Sequence, residues 1–139
     1  MSRAIALSGA SGLLGSAMAP ALAAAGWQVK PLVRRAPGPG EIRWDPAAGT
    51  IDASALAGVS AAVHLAGESI AEGRWTPARK ARIRSSRILG TRLLSESLAR
   101  LPVRPGVLVS ASAVGIYGDR GDELLDENSP LGTDFLAEV

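Results

Sequence analysis

The sequence predicts an α/β protein in which four or five parallel strands form a doubly wound sheet with helices between them. Three observations predict it. Short apolar runs alternate with helical stretches at the spacing of βαβ units. The first run, residues 4–7, leads straight into a turn with glycine at 9, 12 and 15, which opens an alanine-rich helix. Two later runs, 61–65 and 107–111, are separated by a long basic helical segment.

Taken in order, residues 4–7 form the first strand and 13–25 the first helix, which stops at Gly26. Between them, Gly9 allows the tight turn, Gly12 lets backbone approach a pyrophosphate with no Cβ in the way, and Gly15 lets the helix pack close to the strand. The free N–H groups and positive dipole end of that helix make a cradle for dinucleotide phosphates. Residues 29–33 form the second strand, and 36–40, with two prolines and two glycines, a loop. Short extended pieces are expected at 42–44 and 50–51, on either side of the Asp45-Pro46 break. The long helix begins with Thr76 as N-cap and Pro77 at its first position and ends before Pro102. Ile83, Leu94, Leu98 and Leu101 recur at near-helical spacing and turn one face to the sheet. Gly90 marks either a bend or a close approach to a neighbour.

Composition narrows the function. The 139 residues, 47% hydrophobic, suit one domain with a real core. The absence of cysteine excludes disulfides and thiolate metal sites, and a single histidine, His64, argues against a histidine-based metal site. His64 lies in an apolar run and reads as a buried structural histidine. No apolar stretch is long enough to span a bilayer and the Met1 end carries no signal-peptide pattern, so a cytoplasmic protein without a membrane partner is expected. The basic stretch Arg74, Arg79, Lys80, Arg82, Arg84, Arg87 and Arg92 carries no interleaved aromatic residue beyond Trp75, and its cations are spread around the helix. With a net charge of only +2, it reads as a solvated face and not as a nucleic-acid surface.

Several strings together resemble a family. They are Ser8-Gly-Ala-Ser-Gly-Leu-Leu-Gly15, Leu65-Ala-Gly-Glu68, Arg74-Trp-Thr-Pro-Ala-Arg-Lys80, Ser86-Arg87 and Ser110-Ala-Ser-Ala-Val-Gly-Ile-Tyr-Gly-Asp119. The chain resembles the NAD-dependent epimerase/dehydratase class of the short-chain dehydrogenase/reductase superfamily, and more narrowly its atypical epimerase-family branch. The resemblance implies a Rossmann-type domain over residues 1–139, the N-terminal portion of a longer chain whose substrate lobe follows Val139. It also implies cofactor contacts from Gly9, Ser11, Gly12, Leu13, Leu14 and Gly15, from Leu65, Ala66 and Gly67, and from Ser110 and Ala111. Arg87 occupies the place of an Asn-led motif in extended members and is expected to face the cofactor.

The end of the second strand addresses the choice of cofactor. NAD sites usually place an acidic residue there for the ribose 2′-hydroxyl, while NADP sites place a cation for the 2′-phosphate. Here the strand ends Leu32-Val33-Arg34-Arg35 and no carboxylate is expected in reach, which favours NADP. Glu68 is either a polar group at the cleft mouth or a plain loop residue.

By the same resemblance, Ser112 takes the serine position of the superfamily and is expected to polarise a substrate carbonyl. Tyr117 belongs to the preceding Tyr-Gly string and is not the catalytic tyrosine. Residues 134–139 show no Tyr-x-x-x-Lys pair, so residues 1–139 alone are expected to give no turnover. Two function classes stay open: an NADP-dependent oxidoreductase or epimerase of an unknown small molecule, and an NADP-binding protein without turnover, such as a redox sensor or interaction module. A third possibility is a cut chain that folds poorly because its sheet edge is uncovered.

Overall fold

The computed structural model describes residues 3–139. Alternation along the first strand, β1 (Arg3–Ser8), sends Ile5 and Leu7 to one face of the sheet and Ala4 and Ala6 to the other. Helix α1 (Leu13–Ala24) covers the first face with Met18, Ala19 and Leu22. Strand β2 (Trp27–Val33) then pairs parallel to β1, and β3 (Ile42–Asp45) parallel to β2. A two-residue strand, β4 (Thr50–Ile51), returns antiparallel to β3, closed by Asp45, whose Oδ1 accepts from the N–H groups of Ala47 and Ala48.

One turn of helix, α2 (Ala53–Leu56), follows, capped by Asp52. The chain then crosses to the other side of β1 as β5 (Val59–His64), parallel to it. Helix α3 (Pro77–Ala99) covers the second face, and β6 (Val107–Ser110) joins parallel to β5. The sheet order is β4-β3-β2-β1-β5-β6. The doubly wound expectation therefore holds, with five parallel strands and one short antiparallel edge.

Helix α3 begins as its sequence requires: Thr76 Oγ1 accepts from Arg79 N–H at 3.3 Å and Pro77 supplies the fixed φ of the first turn. Its buried positions Ile83, Gly90, Leu94, Ser97 and Leu98 make one stripe. The helix runs unbroken through Gly90, so this glycine serves a close approach: a Cβ there would stand 3.4 Å from the His64 ring and 3.6 Å from Trp44. Leu56, Leu94, Leu98, Ile42 and Trp44 build the core under α3, each burial contributing roughly 1.5–3 kcal/mol.

After β6 a 3₁₀ turn (Val114–Tyr117) leads to a long loop and one terminal turn, α4 (Phe135–Glu138), capped by Asp134. The Phe135 ring meets Trp75 edge-on at 5.7 Å and lies under Lys80, and Glu138 pairs with Arg84 at 3.6 Å. Val107 and Val109 on β6 remain about half exposed, on the α1 side of the sheet beside Ala61 and Val63. No helix among the described residues is long and apolar enough to cross a membrane.

Candidate functional site

The chain reverses direction of winding at β1, with β2 on one side and β5 on the other. Open α/β sheets bind ligands at such a switch point, beyond the carboxyl ends of the strands. A cleft of about 950 Å³ lies there. Its floor and walls come from Gly9 to Gly12, from Leu32 to Arg35, from Glu41, Trp44 and Asp45, from Leu65 to Glu68, and from Arg82, Ser85, Ser86 and Leu89 on α3. A smaller hollow, about 620 Å³, lies between β4, α2 and the C-terminal half of α3; neither the glycine turn nor the strand ends around it contribute to its lining.

Each glycine of the turn has its own steric role. Gly9 has φ +71, and a Cβ on it would stand 2.9 Å from Ala66 N. At Gly15 a Cβ would overlap Gly9 O at 2.1 Å, so this glycine is what lets α1 seat on the turn. At Gly12 a Cβ would meet only Gly9 O, at 3.3 Å, and otherwise project into free space. Gly12 also caps α1 with no side-chain hydrogen bond, leaving the first-turn N–H groups open to an anion. A pyrophosphate therefore fits this turn. Leu13 and Leu14 lie in that first turn, 89% and 63% exposed, outside the residues that line the cleft.

Beneath the cleft, β1 and β5 are locked by side chains. Ser8 Oγ accepts from Leu65 N–H at 3.1 Å and Ala66 N–H at 3.3 Å, and lies 2.6 Å from His64 Nδ1. With both oxygen lone pairs engaged, the hydroxyl hydrogen goes to Nδ1, so the bond network assigns a neutral ring protonated at Nε2. Burial also pushes the His64 pKa down, and Trp44 and Gly90 close around the ring. His64 is thus structural: it holds Ser8, and Ser8 holds the Leu65-Ala66 backbone at the cleft edge.

This lock has a pH signature. Unfolded, His64 takes up a proton near its ordinary pKa of about 6.5, whereas the folded protein resists it. Stability is therefore expected to be full above about pH 6.5 and to fall as the pH drops below it, until the lowered folded-state pKa is reached. Urea midpoints measured from about pH 7.5 down to 5.5 should show this slope, and His64→Asn should flatten it. Equal slopes in the two proteins would remove His64 as its source.

At the end of β2 the expectation of a carboxylate-free site is corrected. Glu41 stands beside the arginines: its Oε1 and Oε2 each accept from Arg35 at 2.6 Å, and its Oε2 also accepts from Gly38 N–H at 2.7 Å. Arg35 holds the Glu41 carboxyl below the usual carboxylate range, Gly38 adds to this, and the Arg35 pKa is raised in turn. Arg34 lines the same cleft and makes no hydrogen bond or ion pair among the described residues. Sequence reasoning missed Glu41 because five residues of Pro-Gly loop separate it from Arg35. The available signal was topological: with β3 beside β2, the residue just before β3 must lie near the end of β2.

The basic stretch is largely engaged locally. Arg82 pairs with Glu68 at 3.3 Å, Arg84 with Glu138, and Arg79 donates to Ser69 O. Arg87 donates to the carbonyls of Glu68 at 3.0 Å and Ile83 at 3.3 Å, its guanidinium against Gly67. Arg87 braces the Gly67-Glu68 backbone and does not line the cleft, because two carbonyls and the bare Gly67 draw it under the loop. Glu68 does face the cleft, with its N–H donating to Ser86 Oγ at 2.9 Å. Ser110, Ala111 and Ser112 lie at the carboxyl end of β6, exposed and outside the cleft lining.

The sequence matches the NAD dependent epimerase/dehydratase family profile over residues 5–135. The chain belongs to this family. Epimerase family protein Mb2239 of Mycobacterium bovis is 46% identical over 136 residues, which make up 97% of this chain and 44% of that relative. The nucleoside-diphosphate sugar epimerase structure from Corynebacterium glutamicum superposes with TM-score 0.83 at 41% identity, covering 99% of this chain and 28% of that one. Human epimerase family protein SDR39U1, solved with NADPH, gives TM-score 0.83 at 31% identity, covering 97% and 45%. This epimerase-family chain thus spans less than half the length of the curated relatives it matches. Its cleft gathers a turn, a strand end and a β5 loop that come from three separate crossovers.

Proposed function

We propose that this epimerase-family protein binds NADP and uses it as an oxidoreductase or epimerase on a small molecule, in the cytoplasm. The observation that carries the reading is Arg34: an uncommitted guanidinium at the end of β2, lining the same cleft as the glycine turn. An arginine suits a phosphate dianion bidentately, and a 2′-phosphate is what distinguishes NADP at this place. The family relation and the NADPH in the human relative's structure support the choice. When bound, the nicotinamide supplies or accepts a hydride.

The chain's own residues do the rest. Gly9 and Gly12 admit the pyrophosphate, Ala66 and Gly67 border the cleft with small side chains, and Ser112 is assigned to hydrogen-bond a substrate oxygen. Calorimetric titration of the unmutated protein with NADPH and NADH tests the reading. A charge-assisted contact is worth about 1.5–3 kcal/mol, so NADPH is expected to bind at least about tenfold more tightly. Arg34→Ala should remove most of that gap while leaving NADH binding in place. Equal affinities in the unmutated protein would overturn the NADP assignment.

A further inference from the structure

The Arg35–Glu41 pair sits where the two dinucleotides differ, and nothing in the reading above uses it. Its two halves are not equivalent. The Arg35 side chain is 65% exposed and Glu41 only 18%. Glu41 is also fixed from behind. Gly38-Pro39-Gly40-Glu41 is a tight turn closed by Glu41 N–H donating to Gly38 O at 3.1 Å, with Gly40 at φ +77. Proline second and a positive-φ glycine third are the requirements of a type II turn, so the Pro-Gly loop is a device that presents this glutamate. Gly38 N–H then binds its carboxylate at 2.7 Å. Arg35 is the more exposed partner, held also by its Nη1 donating to Ala36 O at 2.9 Å, and the carboxylate is the one anchored by the turn.

We infer that Glu41 is a specificity-determining residue for the cofactor: it withholds Arg35 from a 2′-phosphate and keeps in the cleft a carboxylate able to accept from a free ribose 2′-hydroxyl. This inference rests on the dinucleotide reading above and sharpens it. A 2′-phosphate arriving beside Arg34 meets a fixed negative charge and must draw Arg35 away from it. NADH brings no such charge and finds in Glu41 the acidic group that NAD sites place at the end of this strand. The protein therefore accepts both dinucleotides, with its preference for NADPH held below what two arginines would give.

Glu41→Gln tests this. The amide keeps the size of the side chain and an oxygen for Gly38 N–H, and an unchanged melting temperature would confirm that the turn survives. Affinities for NADPH, NADH and 2′,5′-ADP, measured by calorimetry, supply the readout. NADPH and 2′,5′-ADP are expected to bind more tightly in the variant and NADH more weakly, widening the NADPH-to-NADH preference by about tenfold. Arg35→Ala, which frees the carboxylate, should strengthen NADH relative to NADPH. An unchanged preference in Glu41→Gln, beside a normal one in the unmutated protein, overturns the role of Glu41 and leaves the NADP reading intact. Weaker NADPH binding in that variant also overturns it, since Glu41 would then be orienting Arg35 toward the phosphate. Equal affinities in the unmutated protein that separate in Glu41→Gln overturn the NADP preference and support Glu41. Failure of every probe to bind the unmutated protein overturns both.

Discussion

Gly15→Val is expected to unfold the protein or leave it barely folded at room temperature. Even the Cβ of an alanine would stand 2.1 Å from Gly9 O and 2.7 Å from Ala10 Cα, both backbone atoms of a turn fixed at the top of the central strand. No side-chain rotation relieves that overlap. Either α1 lifts from Ile5, Leu7, Ala61 and Val63, or the turn distorts and Gly9 leaves its positive-φ conformation. Overpacking of this kind costs about 3 kcal/mol or more, a large share of the roughly 5–15 kcal/mol that holds a domain together. The drop should appear in the urea midpoint followed by far-ultraviolet circular dichroism. A variant as stable as its parent would show that α1 is not seated on the turn by Gly15.

Gly12→Val should give the opposite pattern, a stable protein that no longer binds dinucleotide. Its backbone is extended, with φ −78 and ψ 178, a conformation valine tolerates, and the nearest atom to an added Cβ is 3.3 Å away. The stability cost is limited to a poorer N-cap, on the order of 1 kcal/mol or less. The two methyl groups would occupy the approach to the first-turn N–H groups of α1, where the pyrophosphate is held in the proposed complex. A loss of at least about 100-fold in NADPH affinity is expected, equivalent to about 2.7 kcal/mol. Titration of the folded variant checks it, and an unchanged affinity would mean that the cofactor does not cross this turn. Side by side, the two valine variants separate a glycine required by packing from one required by the ligand.

The sequence carried the strands and long helices because their signals are local. Apolar runs mark β1, β5 and β6, and Thr76-Pro77 announces α3 to the residue. Boundaries moved by a residue or two: β5 is Val59–His64 against an expected 61–65, its pairing with β1 running from Val59 to His64. Single turns such as α2 and α4 were not legible, because four residues carry no periodicity and form only through an Asp cap and tertiary contacts. The same distinction holds in the cleft. The glycines announced themselves within seven residues, whereas Glu41 depends on β3 pairing with β2 and the Ser8–His64 lock joins residues 56 positions apart. The bracing contacts of Arg87 were not legible for a related reason: they follow from an unsubstituted Gly67 and a carbonyl nineteen residues earlier in the chain, which spacing on one helix cannot reveal.

The half-bare face of β6 sets an order of opening within the sheet. β1 is flanked by β2 and β5 and sealed on both faces, so its hydrogen bonds break only when the whole sheet does. β6 has a single neighbour, and with Val107 and Val109 uncovered it gains little apolar burial in exchange for its ordering. It is therefore among the first segments to detach in local fluctuations, and the serines at its carboxyl end move with it. Covering those two valines would do more than shelter them: it would convert Ser112 from a group on a breathing margin into one with a fixed address relative to the cleft.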